Sequence, residues 1–390
     1  MTTFFKIKPS FAITKIVPFI ILLYVIGCTQ QSSPDNNSSA FYTLDFENDN
    51  VSQTELNRYF LTTFPHSDPT EGNVVYDRVK WVNEDMVKVK DSDGLYLYIR
   101  QSDQPGFFDS VRVTSKHMYN IEQSNEAILF VFKGALPSVN GAWPAWWLNG
   151  SYEKEWLEST SKTNDDLDQY SGVGNYYDTP SAVNSTDWPS AGEVDIIESI
   201  NGQKLIHNTL HTCPQMYDSV WNNDPRIINC ANAKIGDPNA GCSGNAYEVE
   251  ETQGTFAAIW KKTGIEFYYW PEGEEVRKSG GPLSSSPNPS KWLSENLKNR
   301  VSLLPTTAAC QENTHESWQC KNCQGSENKK LANLKMIFNI TTCGKWAGAK
   351  FDDSDTPLAN CQAYISGEGK SAIDGKYIKV EYLSVKQLSL

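Results

Sequence analysis

The chain is short of basic charge. Its 390 residues hold 34 Lys and Arg against 47 Asp and Glu, a formal net charge of −13. Recognition of a phosphate backbone needs clustered Lys and Arg, so the deficit excludes nucleic acid and opposes an anionic membrane surface as partners. It does not oppose a neutral polysaccharide. A long apolar run is also missing. Residues 16–27 form an apolar stretch interrupted by Tyr24, well short of the roughly 20 residues that cross a bilayer. No internal repeat is visible, few segments carry a helical period, and no composition shift divides the body into two domains.

The short apolar stretch has the form of an export signal. Lys6, Lys8 and Lys15 precede it as a positive region, so residues 1–28 are set aside as a signal peptide. The stretch ends Val25-Ile26-Gly27-Cys28, which resembles a bacterial lipoprotein box. On that reading Cys28 is lipidated, becomes the mature N-terminus and anchors the protein to a membrane of the cell envelope. The alternative is ordinary secretion, with cleavage near Gly27. Residues 29–40 are polar and read as a flexible tether. Residues 41–390 are expected to form one domain, acting as a monomer. Asn149 and Asn184 begin Asn-x-Ser/Thr acceptor sequences, which carry glycans only after eukaryotic secretion.

Nine cysteines agree with export. Apart from Cys28 there are eight, at 213, 230, 242, 310, 320, 323, 343 and 361. An even number in an exported chain points to disulfides, and Cys343 with Cys361 is the expected pair. Cys320 and Cys323 have the spacing of half a zinc knuckle, but no second half matches it. His207 and His211, on one face of a strand, would lie about 13 Å apart, too far to share an ion. No metal and no cofactor are expected.

The body reads as short strands and turns. Residues 41–46, 94–100, 111–114, 127–132, 265–270, 335–340 and 377–385 are rich in β-branched and aromatic residues, and strands at this spacing argue for an antiparallel sandwich. Residues 291–298 are expected to form a short helix. Residues 151–187 are acidic, rich in Ser, Asn and Tyr, and lack periodicity; structureless segments of that length are uncommon and usually functional. Twelve Trp and eighteen Tyr exceed what a core requires and suit a surface on which sugar rings stack.

The most informative segment is residues 193–198, Glu-Val-Asp-Ile-Ile-Glu. Val, Ile and Ile argue for a strand, where side chains alternate between faces. Glu193 and Asp195 then share a face, and Glu198 is out of phase by one residue. One inserted residue, a β-bulge, brings Glu198 to the same face. Three carboxylates so crowded raise at least one pKa, which a structural strand does not need and a glycosidase does: one ionised carboxylate as nucleophile, one protonated acid for the leaving group.

Further motifs occur in order along the chain. Residues 68–76 read Asp-Pro-Thr-Glu-Gly-Asn-Val-Val-Tyr, 110–113 Ser-Val-Arg-Val and 141–147 Gly-Ala-Trp-Pro-Ala-Trp-Trp. Trp188-Pro189 precedes the acidic strand, residues 208–212 read Asn-Thr-Leu-His-Thr, and 338–348 Phe-Asn-Ile-Thr-Thr-Cys-Gly-Lys-Trp-Ala-Gly. With Glu-x-Asp-x-x-Glu at 193–198, the chain from about residue 41 onward resembles glycoside hydrolase family 16, in its fungal, laminarinase-like endo-1,3(4)-β-glucanase branch. The resemblance implies a concanavalin A-like β-jelly roll of two antiparallel sheets with an open substrate cleft. It implies double displacement on a β-glucan, with Glu193 as nucleophile, Glu198 as general acid/base and Asp195 as the helper acid that hydrogen-bonds the nucleophile. By the same carry-over, Trp188 and Trp346 are sugar platforms, His211 and Arg112 hydrogen-bond substrate, and Trp147 lies near the cleft floor. Three features depart from the fungal pattern: Lys345 in place of Asp, the long 151–187 segment, and the cysteine-rich region 310–323. A glucan transglycosylase on the same residues and a lectin-like jelly roll are the rival readings, the second opposed by the intact acids.

Overall fold

A computed structural model describes residues 40–61, 79–81, 86–90, 92–121, 127–150, 193–211, 242–249, 252–273, 276–302 and 334–389. The signal segment with Cys28, Trp188, Asn184, the 151–187 segment and Cys213, Cys230, Cys310, Cys320 and Cys323 lie outside the described residues.

Two antiparallel sheets make the sandwich. The first runs in the order Leu297–Ser302, Gly264–Trp270, Gln253–Lys261, Ala127–Ala135, Tyr377–Leu388, Gly94–Tyr98, Val87–Lys90, with Ala40–Asp45 also paired to Tyr377–Leu388. The second runs Cys242–Ser243, Leu205–His211, Glu193–Glu198, Ala142–Gly150, Leu334–Thr342, Arg112–Ser115, Phe60–Leu61, with Tyr247–Glu248 also paired to Leu205–His211. This is the antiparallel sandwich the strand pattern argues for, and the jelly roll the family resemblance implies. A small third sheet departs from the all-antiparallel expectation, because Val79–Trp81 pairs parallel with Phe108–Ser110.

Alternation assigns the faces. Phe130, Phe132, Phe256 and Phe267 of the first sheet meet Trp146, Leu148, Val194, Ile206, Met336 and Phe338 of the second in one core. Phe132, Trp146 and Phe338 pack with ring centroids 5.5–5.9 Å apart. The opposite face of the first sheet is covered too, by Val276, Leu283, Trp292 and Leu297 over Leu129, Val131, Ala257, Ile259 and Trp270. Burial on both faces explains why residues 127–132 form a continuous apolar run instead of alternating. The outer face of the second sheet is left for the site.

The helix expected over residues 291–298 does not form. The segment makes two single 3-10 turns, Pro289–Lys291 and Ser294–Asn296, then enters the strand Leu297–Ser302. The Asn288 side chain accepts from Ser290 N at 3.1 Å and starts one turn. The Trp292 indole is held by the Gly280 carbonyl at 2.8 Å, and the backbone from Leu297 is claimed by the sheet edge at Tyr268. A ten-residue helix, Pro357–Ser366, lies where none was expected, opening on Pro357 and closing at Gly367, in keeping with the helical preference for Pro at the first position and Gly past the end.

Cys343 and Cys361 are disulfide-bonded, with Cα atoms 5.8 Å apart. The bond ties the turn Gly344–Gly348 to the helix Pro357–Ser366. Asn149, an acceptor by sequence, is 3% exposed within the strand Ala142–Gly150. A glycan has no room there, so the acceptor reading of Asn149 is withdrawn.

Candidate active site

The strand Glu193–Glu198 carries the predicted bulge. Against Ala142–Gly150, Ile197 pairs with Trp146 and Asp195 with Trp147, so Ile196 is the extra residue. The register against Leu205–His211 shifts at the same place, between Asp195 and Glu198. Ile196 and Ile197 both enter the core, and Glu198 returns to the face of Glu193 and Asp195.

Cross-strand register lays out that face in rows. One row reads Arg112, Asn339, Ala145, Glu198, His207. The next reads Thr114, Ile337, Trp147, Asp195, Thr209, Ser243. The third reads Lys335, Asn149, Glu193, His211. Rows two residues apart are about 7 Å apart along the strands and neighbouring strands about 4.8 Å apart.

Asp195 sits in the middle row between the other acids and is buried. Burial, reinforced by the adjacent Glu193 charge, pushes its carboxyl well above the usual carboxylate range; a hydrogen bond with Glu198 opposes this without reversing it. Crowded carboxyls cannot all ionise, and burial inclines Asp195 toward its protonated form. Glu198 also accepts from the Trp143 indole N–H at 2.9 Å. Trp346, half-buried in the turn after Cys343, meets Trp143 edge-on at 5.6 Å and His207 at 4.9 Å. His207 is held toward its neutral form by burial. Trp346 and Glu198 are thus joined through two shared neighbours.

Arg112 is in the Glu198 row but three strands away, about 14 Å across the sheet. Its guanidinium lies 5.0 Å over the Trp147 ring, and Trp147 donates to Asn339 Oδ1 at 2.6 Å. Arg112, Trp147 and Asn339 form one cluster beside the acids. His211 ends the Glu193 row by backbone register; its side chain and that of Lys345 are outside the described residues.

Three residues of the site were not singled out in the sequence. Trp143 was legible in principle, since it alternates with Ala145 and Trp147 opposite the buried Trp146. Lys335, 1% exposed, occupies the Glu193 row, and its charge adds to desolvation in lowering the pKa of His117. Asn208 lies beneath the bulge, donating to the Ile196 carbonyl at 2.6 Å and accepting from Asn299 Nδ2 at 2.7 Å. Asn208 opens the 208–212 motif, but nothing in the sequence gives it this role.

Comparison with known proteins agrees with this architecture. The fold and the acidic strand define a jelly roll of the glycoside hydrolase type. Residues 181–385 match the family described as XgeA-like, catalytic GH16 domain. That is more than half of the chain, and the chain belongs to this family. It is 25% identical over 352 residues to endo-1,3(4)-beta-glucanase xgeA of Emericella nidulans, covering 83% of this chain and 45% of that protein. To an endo-1,3(4)-beta-glucanase of Arthroderma benhamiae it is 24% identical over 351 residues, covering 83% of this chain and 61% of the relative. The chain therefore spans less than half of the Emericella relative and under two thirds of the other. Among solved structures, an elongating GH family 16 beta-1,3-glucosyltransferase superposes with a TM-score of 0.55 at 19% identity, covering 88% of this chain and 98% of that one. Laminarinase 16A from Phanerochaete chrysosporium, bound to two beta-glucans, gives 0.53 at 19% identity, covering 89% and 100%.

Proposed function

We propose that this chain is an exported, retaining endo-β-glucanase that hydrolyses internal bonds of β-1,3-glucan or mixed-linkage β-1,3/1,4-glucan. The observation that carries the reading is the bulge at Ile196, which turns Glu193, Asp195 and Glu198 to one face. Relatives named as endo-1,3(4)-beta-glucanases support the substrate class. Glu193 attacks the anomeric carbon while Glu198 protonates the departing oxygen. Asp195, inclined to hold a proton, leaves the negative charge on Glu193, and Glu198 also enters the reaction protonated. Water deprotonated by Glu198 then releases the glycosyl-enzyme, as retention requires. Trp188 and Trp346 are proposed to stack sugar rings, and His211 and Arg112 to hydrogen-bond them, with Trp147 holding Arg112. Export rests on residues 1–28.

Transfer to a sugar acceptor uses the same residues, and the fold is shared with a beta-1,3-glucosyltransferase. One experiment decides both questions. Laminarin, mixed-linkage β-glucan, cellulose and agarose are incubated with the chain and with Glu193→Gln, and products are sized. The reading expects shortened oligosaccharides from laminarin or mixed-linkage glucan, absent with the variant. Products longer than the substrate favour transfer; equal release by the variant sinks the assignment.

A further inference from the structure

On the far side of the sandwich from the acids, the segment covering the first sheet borders an open cavity of about 740 Å³. That is within the range of small-ligand sites, about 300–1,000 Å³. Trp270, Trp292, Leu293, Lys278, Lys291 and Asn296 are among its lining residues. None belongs to the acidic cleft.

Two features mark it as a built site. Asn296 is 4% exposed, its Nδ2 donates to the Tyr269 carbonyl at 3.1 Å, and its buried Oδ1 has no donor. The bond to a carbonyl fixes the amide and braces this part of the cavity wall, while Oδ1 itself is closed to solvent. The second feature is a rigid aromatic. Trp292 is half-exposed, its ring edge pinned by the Gly280 carbonyl at 2.8 Å, and it meets Tyr268 at 4.9 Å and Trp270 at 5.0 Å edge-on. Beside it Leu293 is 55% exposed, one of two large apolar side chains so exposed among the described residues. The wall includes Gly281, where a Cβ would come within 2.3 Å of the Val276 carbonyl oxygen.

A pinned indole with an apolar neighbour matches the C–H face of a pyranose. The Lys278 and Lys291 ammonium groups match hydroxyl oxygens. We propose that this cavity is a second carbohydrate-binding site, remote from the cleft, that holds a neutral glucan chain while the acids cut elsewhere on the same polymer. The choice of glucan rests on the function proposed above.

The test compares wild type with Trp292→Ala and Leu293→Asp, the second chosen because its exposed side chain is not needed for folding. Affinity electrophoresis in gels containing laminarin or mixed-linkage glucan reads binding. Kinetics on a laminari-oligosaccharide, too short to engage both faces, and on the polymer read turnover. We expect retardation to weaken and polymer KM to rise about threefold to tenfold, as loss of one aromatic contact implies, with oligosaccharide kinetics unchanged. Unchanged retardation and polymer KM in both variants overturn the site and leave the cavity to water. Retardation only in a gel of sulfated polysaccharide, abolished by salt, overturns the neutral ligand. If wild type cuts no glucan, the function proposed above fails instead, while variant-sensitive retardation still reports on the cavity.

Discussion

The Trp143 indole donates a hydrogen bond to Oε1 of Glu198 at 2.9 Å across neighbouring strands. The proposed acid/base is therefore aimed by a rigid side chain, itself braced by the Trp346 ring. Hydrogen bonds to charged groups contribute about 1.5–3 kcal/mol. Trp143→Phe keeps the ring and removes the donor. It is expected to lower kcat on glucan by about tenfold or more, with a small change in melting temperature. Unchanged kcat would remove Trp143 from the site.

The bulge has its own support. Asn208 Nδ2 holds the Ile196 carbonyl, and Asn299 holds Asn208. Asn208→Ala leaves the Ile196 carbonyl and one N–H of Asn299 Nδ2 to find other partners in a buried place, the bond from Nδ2 to the Asn245 carbonyl remaining. The expected cost is about 1–3 kcal/mol by denaturant melts, with a loss of kcat larger than the stability change explains. Asn208→Asp keeps the acceptor for Asn299 and is expected to recover part of the stability alone.

The carboxyl groups divide the pH dependence of stability. Asp195 is raised in the folded state, chiefly by burial. Its contribution is therefore complete below the ordinary value near 3.8 and is lost as pH rises through the folded value. Asp195→Asn cannot ionise, so its melting temperature should fall less than that of wild type as pH rises above about 3.8, while its activity drops. For Asp45 and Glu47 burial pulls upward, but hydrogen bonds from Arg277 and Asn48 to Asp45, and from Lys133 and Arg277 to Glu47, prevail and hold both below their usual 3.8 and 4.5. Their contribution is present above those values and lost as pH falls through the folded ones. Arg277→Ala should cost about 1 kcal/mol at neutral pH, as expected of a partly exposed ion pair, and flatten the acid limb. A steeper acid limb in that variant would contradict this.

The Cys343–Cys361 bond closes a loop containing Trp346. Cys361→Ser should cost about 3 kcal/mol by the loop-closure estimate. Because Trp346 leans on Trp143 and His207, KM for glucan should rise in the folded variant. A variant with lower stability and unchanged KM would make the bond purely structural.

How much of this was legible depends on whether a residue's role is set by its own strand. The phase slip between Asp195 and Glu198 is internal to six residues, so the bulge could be read from it, and the two-sided burial of residues 127–132 left a plain apolar run. Residues 291–298 misled because a short segment with Trp, Leu and Leu at spacings of one and four satisfies a helical period. What decided it was the open backbone edge of Gly264–Trp270, distant in sequence. The role of Asn208 was invisible for the same reason: its partners, Ile196 and Asn299, come from other strands. Trp143, Trp146 and Trp147 lie within five residues and differ only in facing, which register with Glu198, Phe338 and Asp195 settles.

The central claim is that Glu193 attacks and Glu198 serves as acid and then base. The most direct measurement is proton NMR of the anomeric signal during the first minutes of glucan cleavage, before mutarotation. The account predicts that the β-anomer appears first and that Glu193→Gln yields no product. An α-anomer appearing first would contradict it, because it would require direct attack by water and leave Glu193 without its role.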